Sequence, residues 1–255
     1  MALPDALAAM LTNDAELALL QRDPAGLRER YALTDTELAM LVGARPAGYQ
    51  VTRRNVQAKL WRAVNTRLPV TAAHLRDHQP DLWDEFASTV VRPPRPVHEH
   101  GIWESERLTT WLVAQDHGPL AAYARYELER AKLGRTGTGT PAGLRPAIHR
   151  RRVSADRLLT LAAGARVVVF DYDVTAGPPI HQLPERRTHV ALHRRARDAR
   201  VLAYRINAAT ASLLACCDGT QTADQIIERI GHGEDQAAIR AALDGLLAAE
   251  LVRLT

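Results

Sequence analysis

Four small groups of residues have types and spacings that could carry chemistry. His98-Glu99-His100 offers two imidazoles to a metal, but it lies in the proline-rich run VRPPRPVHEH with no third ligand at a suitable spacing. Solvent-exposed side chains are the better reading there. His74 and His78 stand at i, i+4, which puts both rings on one face of a helix. No HExxH-type glutamate accompanies them, so a surface pair is expected. Cys216 and Cys217 are adjacent and are the only cysteines. Neighbouring cysteines rarely pair, and two alone build neither a zinc knuckle nor a disulfide framework. At the end of an apolar helix, one belongs in the core and the other near the surface. Asp171 and Asp173 alternate on a strand, where they could pair with arginines or form a two-carboxylate acid/base site; no further residue supports the second use. GxSxG, Walker A and GxGxxG patterns are absent, and the Gly-rich GRTGTGT follows no strand and opens no helix. These residues predict a protein without a catalytic residue, a bound metal or a resident cofactor.

The elements that must position any site fall into two halves with different hydrophobic periods. The 255 residues, 46% hydrophobic and 24% charged, have a globular composition and suffice for two ordinary domains. No apolar run approaches the ~18–20 residues that cross a bilayer. The start, MALPDALAAM, lacks a basic n-region and carries Asp5 in its apolar part, which argues against a secretory signal. With so few cysteines, a cytoplasmic location is expected. From Ala6 to about Leu133 the pattern is helical: Leu17 and Leu20, then Leu38, Leu41 and Val42, then Val56, Leu60 and Val64 up to Leu68 before Pro69. Leu82, Phe86 and Val90 follow, then Leu108, Trp111 and Leu112, and after Gly118-Pro119 a last stretch with Leu120, Tyr123, Ala124 and Leu128. A bundle of six to eight helices is predicted, with Trp61, Trp83, Trp103 and Trp111 as packing anchors. The stretch 134–147 holds four Gly and two Pro without apolar period and reads as a linker. The predicted division is therefore a helical domain 1–133, a linker 134–150 and a second domain 151–255.

In the second domain the period shortens. Arg166–Val174, Thr188–His193 and Arg200–Ile206 read as strands. Asn207 and Thr222 are plausible N-caps of the next two helices, and a last helix carries Ile239, Leu243, Leu246 and Leu247. Three strands followed by three helices make a small winged-helix-like unit with a free sheet edge, so the fold class is α+β. Such a unit raises the question of DNA. The last helix, however, offers Arg240 against Glu234, Asp235, Asp244 and Glu250, and the helix before it is also net acidic. Phosphate repulsion disfavours nucleic acid there. A free edge beside an amphipathic helix can instead take an extended peptide as an added strand. Between Pro141 and Arg205 there are 13 Arg, no Lys and 5 acidic residues. The arginines at 194, 195, 197, 200 and 205 would favour an acidic peptide.

Tyr204-Arg-Ile-Asn-Ala-Ala-Thr-Ala-Ser-Leu-Leu-Ala-Cys-Cys-Asp-Gly-Thr220, followed by ADQIIERI and a final helix ending LLAAELVRL, resembles the PqqD-like fold. Domains of that kind, also called RiPP recognition elements, bind the leaders of ribosomally made, post-translationally modified peptides. In the first half, Tyr49-Gln-Val-Thr-Arg-Arg54, Lys59-Leu-Trp61, Leu68-Pro-Val-Thr71, the Leu82–Phe86 helix and Tyr126-Glu127 are similar to the helical domain of partner proteins of multinuclear non-heme iron-dependent oxidative enzymes. Partner subunits of methanobactin and thiaglutamate biosynthesis are of this type. The resemblance implies an accessory subunit without iron of its own. It would bind a separate TIM-barrel enzyme that holds the iron, grasp the precursor's leader and present the core peptide to that enzyme. It further implies leader contacts at Val201, Leu202, Ala203, Tyr204 and Arg205 on the edge strand and at Ile239, Leu243 and Leu246 on the last helix. Two alternatives stay open: a transcriptional regulator that uses the winged unit or the bundle on DNA, and a stand-alone enzyme using the His98–His100 pair or the vicinal cysteines.

Overall fold

The structure is a computed structural model that describes residues 2–90, 101–135, 156–195, 198–231 and 235–255. The His98–His100 pair and positions 136–150 of the predicted linker lie outside the described residues. The chain separates into two compact units, Met1–Leu128 and Glu129–Thr255.

The first unit is all helical: α1 Ala2–Thr12, α2 Asp14–Arg22, α3 Pro24–Tyr31, α4 Asp35–Gly43, α5 Pro46–Arg67, α6 Pro69–His78, α7 Pro80–Thr89, α8 Ile102–Ala114 and the first part of α9 Gly118–Arg135. Among the described residues these are nine helices rather than six to eight, and proline explains the excess. Proline fits the first helical turn, where its missing N–H has no intrahelical partner, and it keeps the preceding residue out of the α region. Asp23, Leu68 and Gln79 are each the C-cap of one helix and the N-cap of the next, and each is followed by a proline. One residue therefore ends a helix and starts another. A sequence scan for helix stops reads such a position as a terminus only.

Each joint needs another way to satisfy the exposed amides of the helix it opens. Asp23 does this locally, accepting from the Gly26 N–H at 3.0 Å. Leu68 has no polar side chain to offer, and α6 is capped from a distance. The buried carboxylate of Glu127, on α9, accepts from the Val70 N–H at 3.0 Å and the Thr71 N–H at 2.8 Å. A carboxylate at a helix N-terminus also meets the positive end of the helix dipole.

Ala6, Met10, Leu17, Leu20, Leu27, Leu33, Leu41 and Tyr49 form one core cluster, in which the Tyr49 hydroxyl donates to the Leu41 carbonyl at 2.8 Å. Phe86, Leu68, Leu75, Leu108 and Leu112 are also fully buried. The four tryptophans are only half-buried. Trp61 meets Trp83 edge to face at 4.7 Å, and Trp83 and Trp111 flank Phe86 at 5.7 and 5.6 Å. Phe86, not an indole, occupies the interior position.

The second unit contains the end of α9, β1 Leu158–Leu161, β2 Ala165–Tyr172, β3 Glu185–Arg194, β4 Val201–Ile206, α10 Ala208–Ala215, β5 Asp218–Thr222, α11 Ala223–Ile230, α12 Gln236–Ala248 and β6 Val252–Leu254. It is mixed helix and sheet, so the α+β class holds. The three expected strands are β2, β3 and β4, which form one antiparallel sheet in that order. Asn207 caps α10 by accepting from the Thr210 N–H at 2.7 Å, and Thr222 with Gln225 forms a capping box on α11. A second antiparallel sheet, β5-β1-β6, was not expected. It brings Leu158 opposite Thr222 and Leu159 opposite Leu254.

Replacing Glu127 by Ala removes a buried charged acceptor from two amides and should lower stability by about 2 kcal/mol. Urea denaturation measures this; a change under about 0.5 kcal/mol would mean that water replaces the carboxylate there.

Candidate peptide-binding edge

β4 is a terminal strand of its sheet, so one row of its backbone groups faces away from β3. Which row is set by the hairpin that joins them. The Arg195 N–H donates to the Arg200 carbonyl at 2.9 Å, which makes 195 and 200 a hydrogen-bonded pair. On the other side of β3, the Arg194 N–H donates to the Gly164 carbonyl of the segment preceding β2, at 2.7 Å. Antiparallel strands alternate between hydrogen-bonded and non-hydrogen-bonded pairs. With Arg194 opposite Val201 and Leu192 opposite Ala203, Leu202, Tyr204 and Ile206 bond to β3. The N–H and C=O groups of Val201, Ala203 and Arg205 point outward. Among the described residues no backbone group pairs with them.

The same register sorts the side chains. The row Val167, Ala191, Tyr204 faces the core built from α10, α11, α12 and β6, as do Ala165 and Ile206. Arg166, Leu192 and Ala203 share the opposite face with Val168, Val190 and Arg205. The last turns of α9 lie over that face: Glu129 pairs with Arg166, and a Cβ on Gly134 would sit 4.0 Å from Val201 Cγ2.

On α12, Leu243 is completely buried and Leu246 is 8% exposed, both inside the core cluster that Tyr204 joins. They hold the helix to the sheet and present almost no surface. Ile239 is partly buried at the margin of the same cluster, its Cδ1 close to Gly231. Val201, Leu202, Ala203 and Tyr204 are half-buried and Arg205 is exposed. The five edge residues thus form one continuous feature, while only Ile239 of the three helix residues stands at a margin.

The arginines are less available than their number implied. Arg205 and Arg186 both donate to Asp173, Arg205 through Nη1 at 3.0 Å. Arg195 is paired with Asp198, and Arg194 is also engaged. Arg197 lies outside the described residues. Arg200, exposed at the start of the edge, makes no ion pair among the described residues. The local excess of positive charge is therefore partly neutralised from within.

Asp173 is the polar centre of this arrangement. It is 2% exposed and lies just after β2. Oδ1 accepts from the Thr175 hydroxyl at 2.5 Å and its N–H at 3.3 Å; Oδ2 accepts from Arg186 of β3 and Arg205 of β4. Burial pushes its carboxyl up, but the hydrogen bonds from Thr175, Arg186 and Arg205 outweigh this and hold it below the ordinary carboxylate range. His193, on β3, is the opposite case. It is 2% exposed, its Nδ1 has no hydrogen-bond partner, and burial pushes its pKa down.

Cys217 is buried, and burial pushes its thiol up to about 11, so it stays protonated near neutral pH. Cys216 is partly exposed, and neither cysteine is in a disulfide. His74 and His78 stack with centroids 4.9 Å apart, but His74 is 9% exposed and belongs to the interior rather than to a surface pair. Asp171 is exposed and does not share Asp173's site. Among the described residues no three His, Cys, Asp or Glu side chains converge as metal ligands, and no helix is long and apolar enough to cross a membrane.

A scan against protein-family models found no match to this chain, and a search of curated proteins returned no significant relative.

Acid should act on this unit in two stages. His193 resists protonation when folded, so the unfolded chain gains protons that the folded chain refuses once pH falls below about 6.5. Asp173 contributes stability above about pH 4, which is lost as pH falls through its depressed folded value. Denaturation midpoints at pH 7, 5 and 3 should show that His193→Gln flattens the loss between 7 and 5 and Asp173→Asn the loss between 5 and 3. Unaltered pH slopes in both variants would contradict these assignments.

Proposed function

We propose that this chain is a non-catalytic accessory subunit that binds the leader of a ribosomally synthesised precursor peptide and delivers its core to a separate iron-dependent oxidative enzyme. The observation that carries the reading is the outward row of backbone groups at Val201, Ala203 and Arg205. An extended leader gains main-chain hydrogen bonds by adding to this edge as a fourth strand, and its alternate side chains supply selectivity. Leader side chains on the helix side would meet Leu202, Tyr204 and Ile239, with Leu243 and Leu246 as the fixed floor behind them. The order of three antiparallel strands followed by α10, α11 and α12 supports the PqqD-like assignment, and the resemblance in the first half supports a helical surface for the TIM-barrel enzyme. Holding the leader raises the effective concentration of the core peptide at the enzyme's metal site. Catalysis and iron stay with that partner. α11 is net acidic, with Asp224 and Glu228 against Arg229, and the one arginine of α12, Arg240, is paired with Asp224. Neither helix presents the surplus of cations that phosphate contacts need, which speaks against the regulator alternative.

Ala203→Pro removes one outward N–H without touching a bond to β3. Leader affinity, read by fluorescence anisotropy, should fall by about 10-fold or more, the loss of roughly one well-formed hydrogen bond with its desolvated partner. Ala203→Val keeps the N–H and should bind within about 3-fold of the parent. Equal affinities for both variants would place the leader elsewhere. Co-expression with the oxidative enzyme and its precursor should yield a stable complex. Failure to form it, or salt-dependent binding to DNA in its place, would overturn the proposal.

A further inference from the structure

The helical unit contains a cleft of about 730 Å³ between α1, α5, α7 and α8. Its volume lies in the range of small-molecule sites. On α5, Val56, Leu60, Ala63 and Arg67 face it at helical spacing; Leu11 of α1, Ala87 of α7 and Trp103 of α8 complete an apolar wall. Gln57, Lys59, Arg62, Thr66, Arg67 and Glu104 supply polar groups to it.

Arg67 is the feature that needs explanation. It is the last residue of α5 and half-buried, and its Nε is fully shielded from solvent without a hydrogen-bond partner. Among the described residues its guanidinium has no ion pair and no hydrogen bond. A shielded N–H without an acceptor is costly, and a planar guanidinium fork is suited to a carboxylate. Gly101 preserves the space it occupies: a Cβ there would lie 3.0 Å from Arg67 Cγ and 3.2 Å from Nε.

The charges around the cleft favour an anion. Lys59 and Arg62 stand on its exposed rim. Among the described lining residues the one acid, Glu104, is buried as the capping-box carboxylate of α8, with Oε2 accepting from the Gly101 N–H at 2.7 Å. Its charge is offset by the helix end it caps.

We infer that this cleft binds a small amphipathic carboxylate, its apolar body along Val56, Leu60, Ala63 and Trp103 and its carboxylate on Arg67. The inference concerns the helical unit alone and does not depend on the peptide-binding reading.

Isothermal titration of the full chain with decanoate, below micelle-forming concentrations, should show one saturable site. Octanoate should bind about 10-fold more weakly, through two fewer buried methylenes. Decanol, lacking the charge, should also bind about 10-fold more weakly than decanoate. Arg67→Met should erase the preference for decanoate over decanol while leaving decanol binding intact, which also shows that the variant is folded. Arg67→Lys should retain part of the preference, because it keeps the charge but not the fork. Absence of saturable binding, equal affinity for decanoate and decanol, or an unchanged preference in Arg67→Met would overturn the inference.

Discussion

The second unit depends on one buried carboxylate. Asp173 joins the end of β2 to Arg186 at the start of β3 and Arg205 on β4, and it fixes the turn at Thr175. Without such a centre, two arginines on neighbouring strands of one sheet would repel each other. With it, the end of β4 is tied to the strand two places away. Burying a charge costs several kcal/mol unless partners compensate it, so the arrangement is stable only with all donors present. The placement of the β4 edge, on which the proposed peptide contact rests, follows from this constraint and from the Arg195–Arg200 bond that sets its register.

The helical unit solves a different problem. Proline-opened joints give sharp turns with single-residue connections, but they leave helix amides without caps. The sequence supplies a cap locally where it can, as at Asp23, and otherwise from afar, as Glu127 does for α6. A long-range cap also links α6 to α9 in register. Near the same unit's cleft, Arg67 is placed without such a partner, and that contrast gives it meaning. The Glu127 carboxylate is satisfied within the fold, and the shielded Nε of the half-buried Arg67 is not.

Parts of this architecture were legible in the sequence because they are local. The β-branched runs found β2, β3 and β4 within three residues at each end, and Asn207 and Thr222 cap as their side-chain chemistry predicts. The second sheet was not legible. DGTQT has no strand pattern, VRL is three residues long, and their partner strand is some 60 and 95 positions away. Nothing local marks such pairings. Apolar spacing on α12 located an inward face but could not say which residues stop at the core: Leu243 and Leu246 lie within it, and Ile239 only borders it. Nor could residue counts foresee that Arg205 shares Asp173 with Arg186 and that Arg195 pairs with Asp198, since ion pairing depends on the folded register. The outward direction of the Ala203 N–H likewise required the hairpin closure.

The central claim is that a peptide adds to the outward row of β4. Residue-resolved amide hydrogen exchange of the full chain, with and without the precursor's leader peptide, tests it most directly. Val201, Ala203 and Arg205 should become protected on binding, whereas Leu202, Tyr204 and Ile206, already bonded to β3, should change little. Saturable leader binding that leaves the Val201, Ala203 and Arg205 amides exchanging at their free rates would contradict the account.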